Sequence, residues 1–193
     1  MNNEKKYYRF IFVLEDIDIT DDAIVDKIYE SGCNDASIES REQIVYLDFD
    51  RESETVQAAV SSAMENVSRT GIKVLRVEPG DAVTASEIAY RLNKSREYVR
   101  LLISGKRGKG NFPAPISGID RPTQIFSWAE VAKWCYRQEI IKDKAIIEIA
   151  GCILKTNRAL ENHLSKILKK PKKIRSGSTE QTKPSYVFVA KSK

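Results

Sequence analysis

Cysteine and histidine are scarce in this chain, and no long apolar run is present. Three cysteines (Cys33, Cys135, Cys152) in 193 residues are widely spaced and form no CxxC pair, which argues against both disulfides and zinc. The sole histidine, His163, has no metal-ligand neighbours in sequence, so neither a metal nor a cofactor is expected. There is no GxSxG, no phosphate-binding loop spacing and no pair of carboxylates in a recognisable setting. Nothing therefore points to an enzyme. No apolar run approaches the roughly 20 residues of a membrane span. The opening MNNEKKYYRF has neither the apolar core nor the cleavage site of a signal peptide. The expectation is a reduced, cytoplasmic protein with no membrane partner.

What the chain has in quantity is charge, unevenly distributed. Residues 1–78 carry 9 Lys and Arg against 17 Asp and Glu, a net of −8. Residues 79–193 carry 23 against 10, a net of +13. An acidic half joined to a basic half implies two modules with different partners. The basic half has the balance of a polyanion binder.

The acidic half alternates element types. Residues 8–15 (YRFIFVLE) are aromatic and β-branched, as a strand requires. Thr20 is the expected cap of a helix whose apolar face is Ile24, Val25 and Ile28, ending at Gly32. Residues 35–40 and 43–50 read as two strands, the second placing Val45, Leu47 and Phe49 on one face. A longer helix starts near Ser53 and runs through Val56, Ala59, Val60, Ala63, Met64 and Val67 to Gly71. Residues 72–77 make the last strand. The order β-α-β-β-α-β predicts a ferredoxin-like domain over 1–78, within an α+β chain. That fold hosts many functions, so this domain is open to a protein partner, a dimer contact, a small-molecule ligand or a plain scaffold role. Asp48, Asp50 and Glu52 alternate at a strand end and read as solvent-facing acids rather than a metal cluster. Residues 79–81 form a short linker that restricts the angle between the two modules.

Residues 84–112 organise the basic half. Thr84 caps a helix with Glu87 three positions on, a capping box, and Ile88, Ala89 and Leu92 share one face. Asn93-Lys94 makes a tight turn, and Ser95 caps a second helix with Val99, Leu102 and Ile103 inside. Its other face holds Arg96, Glu97, Tyr98 and Arg100. That is a helix-turn-helix whose second helix suits a DNA major groove. Arg91, Lys94, Arg96, Arg100, Lys106, Arg107 and Lys109 stand against a single acid, Glu97, between 91 and 109. Arginine grips guanine with two parallel bonds, and Glu97 either accepts from a cytosine amine or orients Arg100 or another neighbouring arginine. The glycines of 104–110 let the backbone approach phosphate, with Lys106, Arg107 and Lys109 supplying charge.

Phe112-Pro113-Ala114-Pro115-Ile116 follows, then Phe126-Ser127-Trp128-Ala129-Glu130-Val131 and Trp134. With the helix-turn-helix, these motifs resemble the MerR-like winged-helix family, in particular its excisionase and AlpA-type prophage-regulator branch. The resemblance covers about residues 83–136, under a third of the chain. It differs at Asn93, where glycine is usual, and in a longer, more basic loop at 106–111. It implies a winged helix-turn-helix over 82–136 that binds double-stranded DNA. Residues 112–116 and 124–126 then form the wing hairpin, with Arg121 at its tip. The aromatics Phe112, Phe126, Trp128 and Trp134 read as core, and Ser127 with Glu130 as a second capping box.

Beyond, a helical extension over 137–170 carries Ile146, Ile149, Ile153, Leu160, Leu164 and Ile167, with Gly151 as a candidate bend. The stripe suits packing on the protein's own domains or a homodimer. Residues 171–193 make a basic tail; the run KKPKKIR at 169–175, where it begins, adds phosphate affinity, and 186–189 suits an added strand. The expected DNA-binding set is Thr84, Ser95, Arg96, Glu97, Tyr98, Arg100, Lys106, Arg107, Lys109 and Arg121. A sequence-specific regulator is the leading expectation. The alternatives are an antitoxin-like or defence-associated adaptor, whose acidic domain holds a protein partner, and a non-specific architectural DNA binder.

Overall fold

Three phenylalanines set the first core. In a computed structural model that describes residues 5–169, Phe10, Phe12 and Phe49 meet pairwise with ring centroids at 5.2 Å. They lie on β1 (Lys6–Leu14) and β3 (Ile44–Ser53), paired antiparallel with Phe10 opposite Phe49 and Phe12 opposite Leu47. Around them come α1 (Asp22–Glu30), β2 (Ala36–Arg41), α2 (Val56–Arg69) and β4 (Val74–Glu78). The sheet order is β2-β3-β1-β4 with every neighbour antiparallel. The second part holds β5 (Ala82–Thr84), α3 (Ala85–Arg91), α4 (Arg96–Ile103), β6 (Ile125–Ser127), α5 (Trp128–Arg137) and α6 (Lys144–Lys169). The chain is α+β, with six helices among the described residues. None of these helices is long and apolar enough to cross a membrane. The tail at 171–193, with its proposed strand and most of KKPKKIR, lies outside the described residues.

Local chemistry explains most boundaries. Glu42 and Gln43 both take positive φ (52° and 66°), the geometry of a two-residue hairpin turn that joins β2 to β3. The cap of α1 is Asp21, which accepts from Ala23 N at 3.0 Å, one residue past the expected Thr20. Thr20 is occupied instead by Asp18, which accepts from both its amide and its hydroxyl. Thr55, not Ser53, caps α2 by accepting from Ala58 N, because β3 continues through Ser53.

Alternation along β3 carries one unexpected residue inward. Arg51 follows Val45, Leu47 and Phe49 into the core and is 7% exposed. Its Nε and Nη2 donate to the two oxygens of Asp35, both at 2.7 Å. Nη2 also reaches Gly32 O at 2.9 Å, Nη1 reaches Ser62 Oγ at 3.1 Å, and the guanidinium lies over the Phe49 ring. A buried charge is tolerable only with this degree of pairing.

One helix belongs to both cores. Cys152 and Ile153 of α6 are buried in the first core, with Ile149 and Leu160 packed against it. Ala150 is buried in the second, with Ile146 and Leu154 at its edge. The apolar stripe expected from sequence is therefore used within the protein as far as Leu160; the side chains of Leu164 and Ile167 lie outside those described. Helix α6 is separated from α5 by a break in which Glu139 takes a positive φ, and it continues through Gly151. Its Asn157 side chain acts as a substitute strand for β4. Val77 N donates to Asn157 Oδ1 at 2.7 Å, and Asn157 Nδ2 donates to Val77 O at 2.8 Å. Asn157→Leu keeps the branching at Cγ, adds bulk and removes both bonds. A loss of about 1–3 kcal/mol is expected, since two backbone groups are left without partners. Urea unfolding checks this, and an unchanged midpoint with unchanged exchange at the Val77 amide would refute it.

Candidate nucleic-acid interface

The region opens with two capped helices and a left-handed turn between them. Thr84 Oγ1 accepts from Glu87 N at 3.2 Å, and Ser95 Oγ accepts from Tyr98 N at 3.1 Å. Asn93 takes φ 50°, a left-handed conformation that asparagine tolerates better than most residues. Lys94 N then closes the turn onto Ala89 O at 2.9 Å. Ile88, Ala89, Val99 and Leu102 are all buried between α3 and α4. The expected capping boxes form in one direction only. Glu87 does not return a bond to Thr84; it accepts from Arg91 Nε at 3.0 Å. Glu130 likewise pairs with Lys133 rather than with Ser127.

This arrangement leaves Arg96, Glu97 and Arg100 exposed along α4. Glu97 holds Arg100 in a two-point bond, Nε to Oε2 and Nη2 to Oε1, both 2.7 Å. The Arg100 hydrogen bond keeps the Glu97 carboxyl below its ordinary range. Glu97 takes the side edge of the guanidinium, so the Nη1–Nη2 end of Arg100 remains available for two parallel bonds. Arg96 makes no ion pair among the described residues.

The basic loop flanks one side of α4. Arg107 N bonds to Leu101 O at 3.1 Å, and its guanidinium stacks 4.8 Å above the half-buried Tyr98 ring. Lys94 approaches the same ring at 6.0 Å. The loop is anchored from below by α5. Gly108 (φ 79°) passes so close to Trp134 that a Cβ there would sit 3.2 Å from the indole. Trp134 Nε1 donates to Gly110 O at 3.0 Å, and Lys109 N donates to the Gln138 side chain at 3.0 Å. Lys106, Arg107 and Lys109 are thus exposed charges on a fixed backbone.

The loop between Phe112 and Gln124 flanks the other side. The expected hairpin of 112–116 with 124–126 shrinks to its inner end, where Ile116 N bonds to Ile125 O and Ser117 bridges Ile125. Pro113 and Pro115 have no N–H to give a ladder, so 112–115 form no strand. Residues 125–127 pair instead with β5. Phe112 still packs inward, edge-on to Phe126 and Trp134 at 5.6 and 5.0 Å. At the tip, Arg121 N bonds to Gly118 O at 3.1 Å and closes a turn; the Arg121 side chain is exposed. Pro122 and Thr123 border a groove of about 270 Å³ together with Ser86, Arg100 and Ile103.

Nine of the ten expected residues thus lie on α4, on its cap or in the two loops beside it. Thr84, the α3 cap, borders the groove that Arg100, Pro122 and Thr123 share. Arg91, counted among the basic residues of this region, is withdrawn from it. Its side chain is 14% exposed, lies over the Trp128 ring and donates to Gly80 O at 3.1 Å. Trp134 and Gln138 are the positioning residues that sequence reading missed. Gln138 carries no signal in the sequence, whereas Trp134 was legible as core. Burial pushes the Cys135 thiol up to about 12. Comparison with protein-family models, with curated proteins and with solved structures gives no match.

Proposed function

We propose that this protein is a sequence-specific DNA-binding regulator of the cytoplasm. In this reading residues 82–136 are a winged helix-turn-helix and the N-terminal part is a ferredoxin-like domain, for which the strand order β2-β3-β1-β4 speaks. The observation that carries the proposal is the exposed row Arg96, Glu97, Arg100 on a capped second helix, with anchored basic groups on one flank and a wing on the other. Residues at the start of a recognition helix meet base edges. Arg96 is free to do so, and Arg100 is held with one two-donor edge unspent, suited to guanine O6 and N7. The loop charges supply backbone affinity that carries no sequence information.

The test is selection of bound duplexes from a random pool at near-physiological salt. A motif containing guanine is expected. A two-fold motif would add that the protein binds as a pair and give its half-site spacing. Arg96→Ala should weaken binding to that motif by about 1–3 kcal/mol and relax preference at one base pair, while non-specific affinity changes less. Duplex binding with no enriched motif would replace this reading with an architectural one. A pool from which nothing is retained would reject DNA as the partner.

A further inference from the structure

Helix α6 carries a glycine that its own geometry does not require. Gly151 lies inside the helix without a positive φ, and a Cβ there would meet no atom within 4 Å. Alanine would fit and would favour the helix, because glycine is among the costliest residues in a helix interior. What Gly151 does is leave bare backbone on a groove of about 580 Å³. The start of α2 borders this groove with Val56, α5 with Tyr136 and α6 with Ile147. Tyr136 and Ile147 belong to neither core, and Tyr136 is 40% exposed. Three lysines, Lys133, Lys144 and Lys155, stand at the groove against a single acid, Glu148. Glu130 takes Lys133 and Glu148 takes Lys144, whereas Lys155 makes no ion pair among the described residues. Nor does the first turn of α2 bring an acid.

We infer that this groove binds a small aromatic anion, a flat ring system bearing a carboxylate. Its volume falls within the roughly 300–1,000 Å³ of small-molecule sites, which likewise join apolar walls to a few polar groups. The ring lies against the backbone at Gly151, a close approach that any Cβ would prevent, with Ile147 and Tyr136 beside it. A flat body gains most from the missing Cβ, because its whole face then rests on the helix. The carboxylate meets Lys155, the one of the three lysines without a carboxylate partner among the described residues. Lys133 and Lys144 add to the positive potential. Bound there, the ligand touches α2 of the first core and α5 of the second, and so ties both to α6. The site is independent of DNA binding, since none of its residues belongs to α4 or to the loops beside it.

The probe is 2-naphthoate, with 2-naphthamide as its uncharged match, titrated into the full chain and followed by amide NMR shifts. Naphthoate should move the Val56, Tyr136 and Gly151 amides saturably, and naphthamide should bind about ten-fold more weakly. Lys155→Gln should remove most of that difference by weakening naphthoate alone. Gly151→Ala should raise the melting temperature of the free protein by roughly 2–4 °C and weaken both compounds. Gly151→Leu, which fills the groove with a helix-favouring side chain, should abolish the shifts. Absence of a saturable shift at these amides overturns the site. Equal affinity for the two compounds rejects an anion, and undiminished binding to Gly151→Leu puts the compound elsewhere; either result overturns the inference. A lower melting temperature with Gly151→Ala would show that the fold needs the glycine and would remove the ground for the ligand.

Discussion

Replacing Trp134 by alanine is expected to cost about 3–5 kcal/mol, a large share of the roughly 5–15 kcal/mol that holds a domain together. Trp134 is 2% exposed and sits where three structures converge. Its ring meets Phe112, Gly108 packs on its outer edge, and its Nε1 holds Gly110 O. Truncation leaves a cavity under the basic loop and removes the bond that ties the loop to α5. Trp134→Phe separates these effects. It keeps much of the packing and loses the bond and part of the ring, for about 1–2 kcal/mol. The variants are compared by urea unfolding and by amide exchange at Lys109 and Gly110. Alanine should lower the midpoint strongly. Phenylalanine should lower it little and still speed exchange in the loop. A small loss with alanine would mean that the loop is placed by Gln138 and Leu101, and that the indole is incidental.

The same residue shows what the sequence makes legible. Capping serines and threonines announce helix starts, because the bond from side-chain oxygen to the N3 amide is local. Thr84, Ser95 and Ser127 all make it. The return bonds fail for an equally local reason: Arg91 and Lys133, four and three residues on, compete for the carboxylates and win. Alternation over Val45, Leu47 and Phe49 gives the buried face of β3. Alternation alone gives no licence to bury Arg51, since its partners Asp35, Gly32 and Ser62 come from elsewhere in the chain. Pro113 and Pro115 mark the wing in the resemblance, and the same rings prevent the ladder that a wing strand needs. The apolar stripe of α6 was readable as a stripe. That it serves two cores at once depends on the meeting of β4, α2 and α5 in space, which period and propensity do not encode. The exposed face of α4 was legible because it is one helix. Its supports were not, since the bond from Lys109 to Gln138 spans 29 residues.

Removing Lys106, Arg107 and Lys109 together should lower affinity for every duplex and flatten its salt dependence. Each phosphate neutralised contributes about 0.9 to the slope of log affinity against log salt, so three contacts account for about 2.7. The ratio of wild-type to variant affinity should then shrink about forty-fold between 50 and 200 mM salt. Base preference should survive, because Arg96 and Arg100 stay in place. Stability should survive too, as all three side chains are exposed and the anchoring bonds of the loop use the main chain of Lys109 and Gly110. Arg107 is the informative member of the three. Its guanidinium carbon lies 4.8 Å from the centre of the Tyr98 ring, and the side chain is exposed for a phosphate. Arg107→Lys keeps the charge and loses the stacked plane. It should therefore retain the salt slope and still bind more weakly than wild type, whereas Tyr98→Leu should reproduce that weakening with the arginine intact. Unchanged affinity and slope in the triple variant would detach the loop from the DNA backbone and leave α4 and the wing as the whole interface.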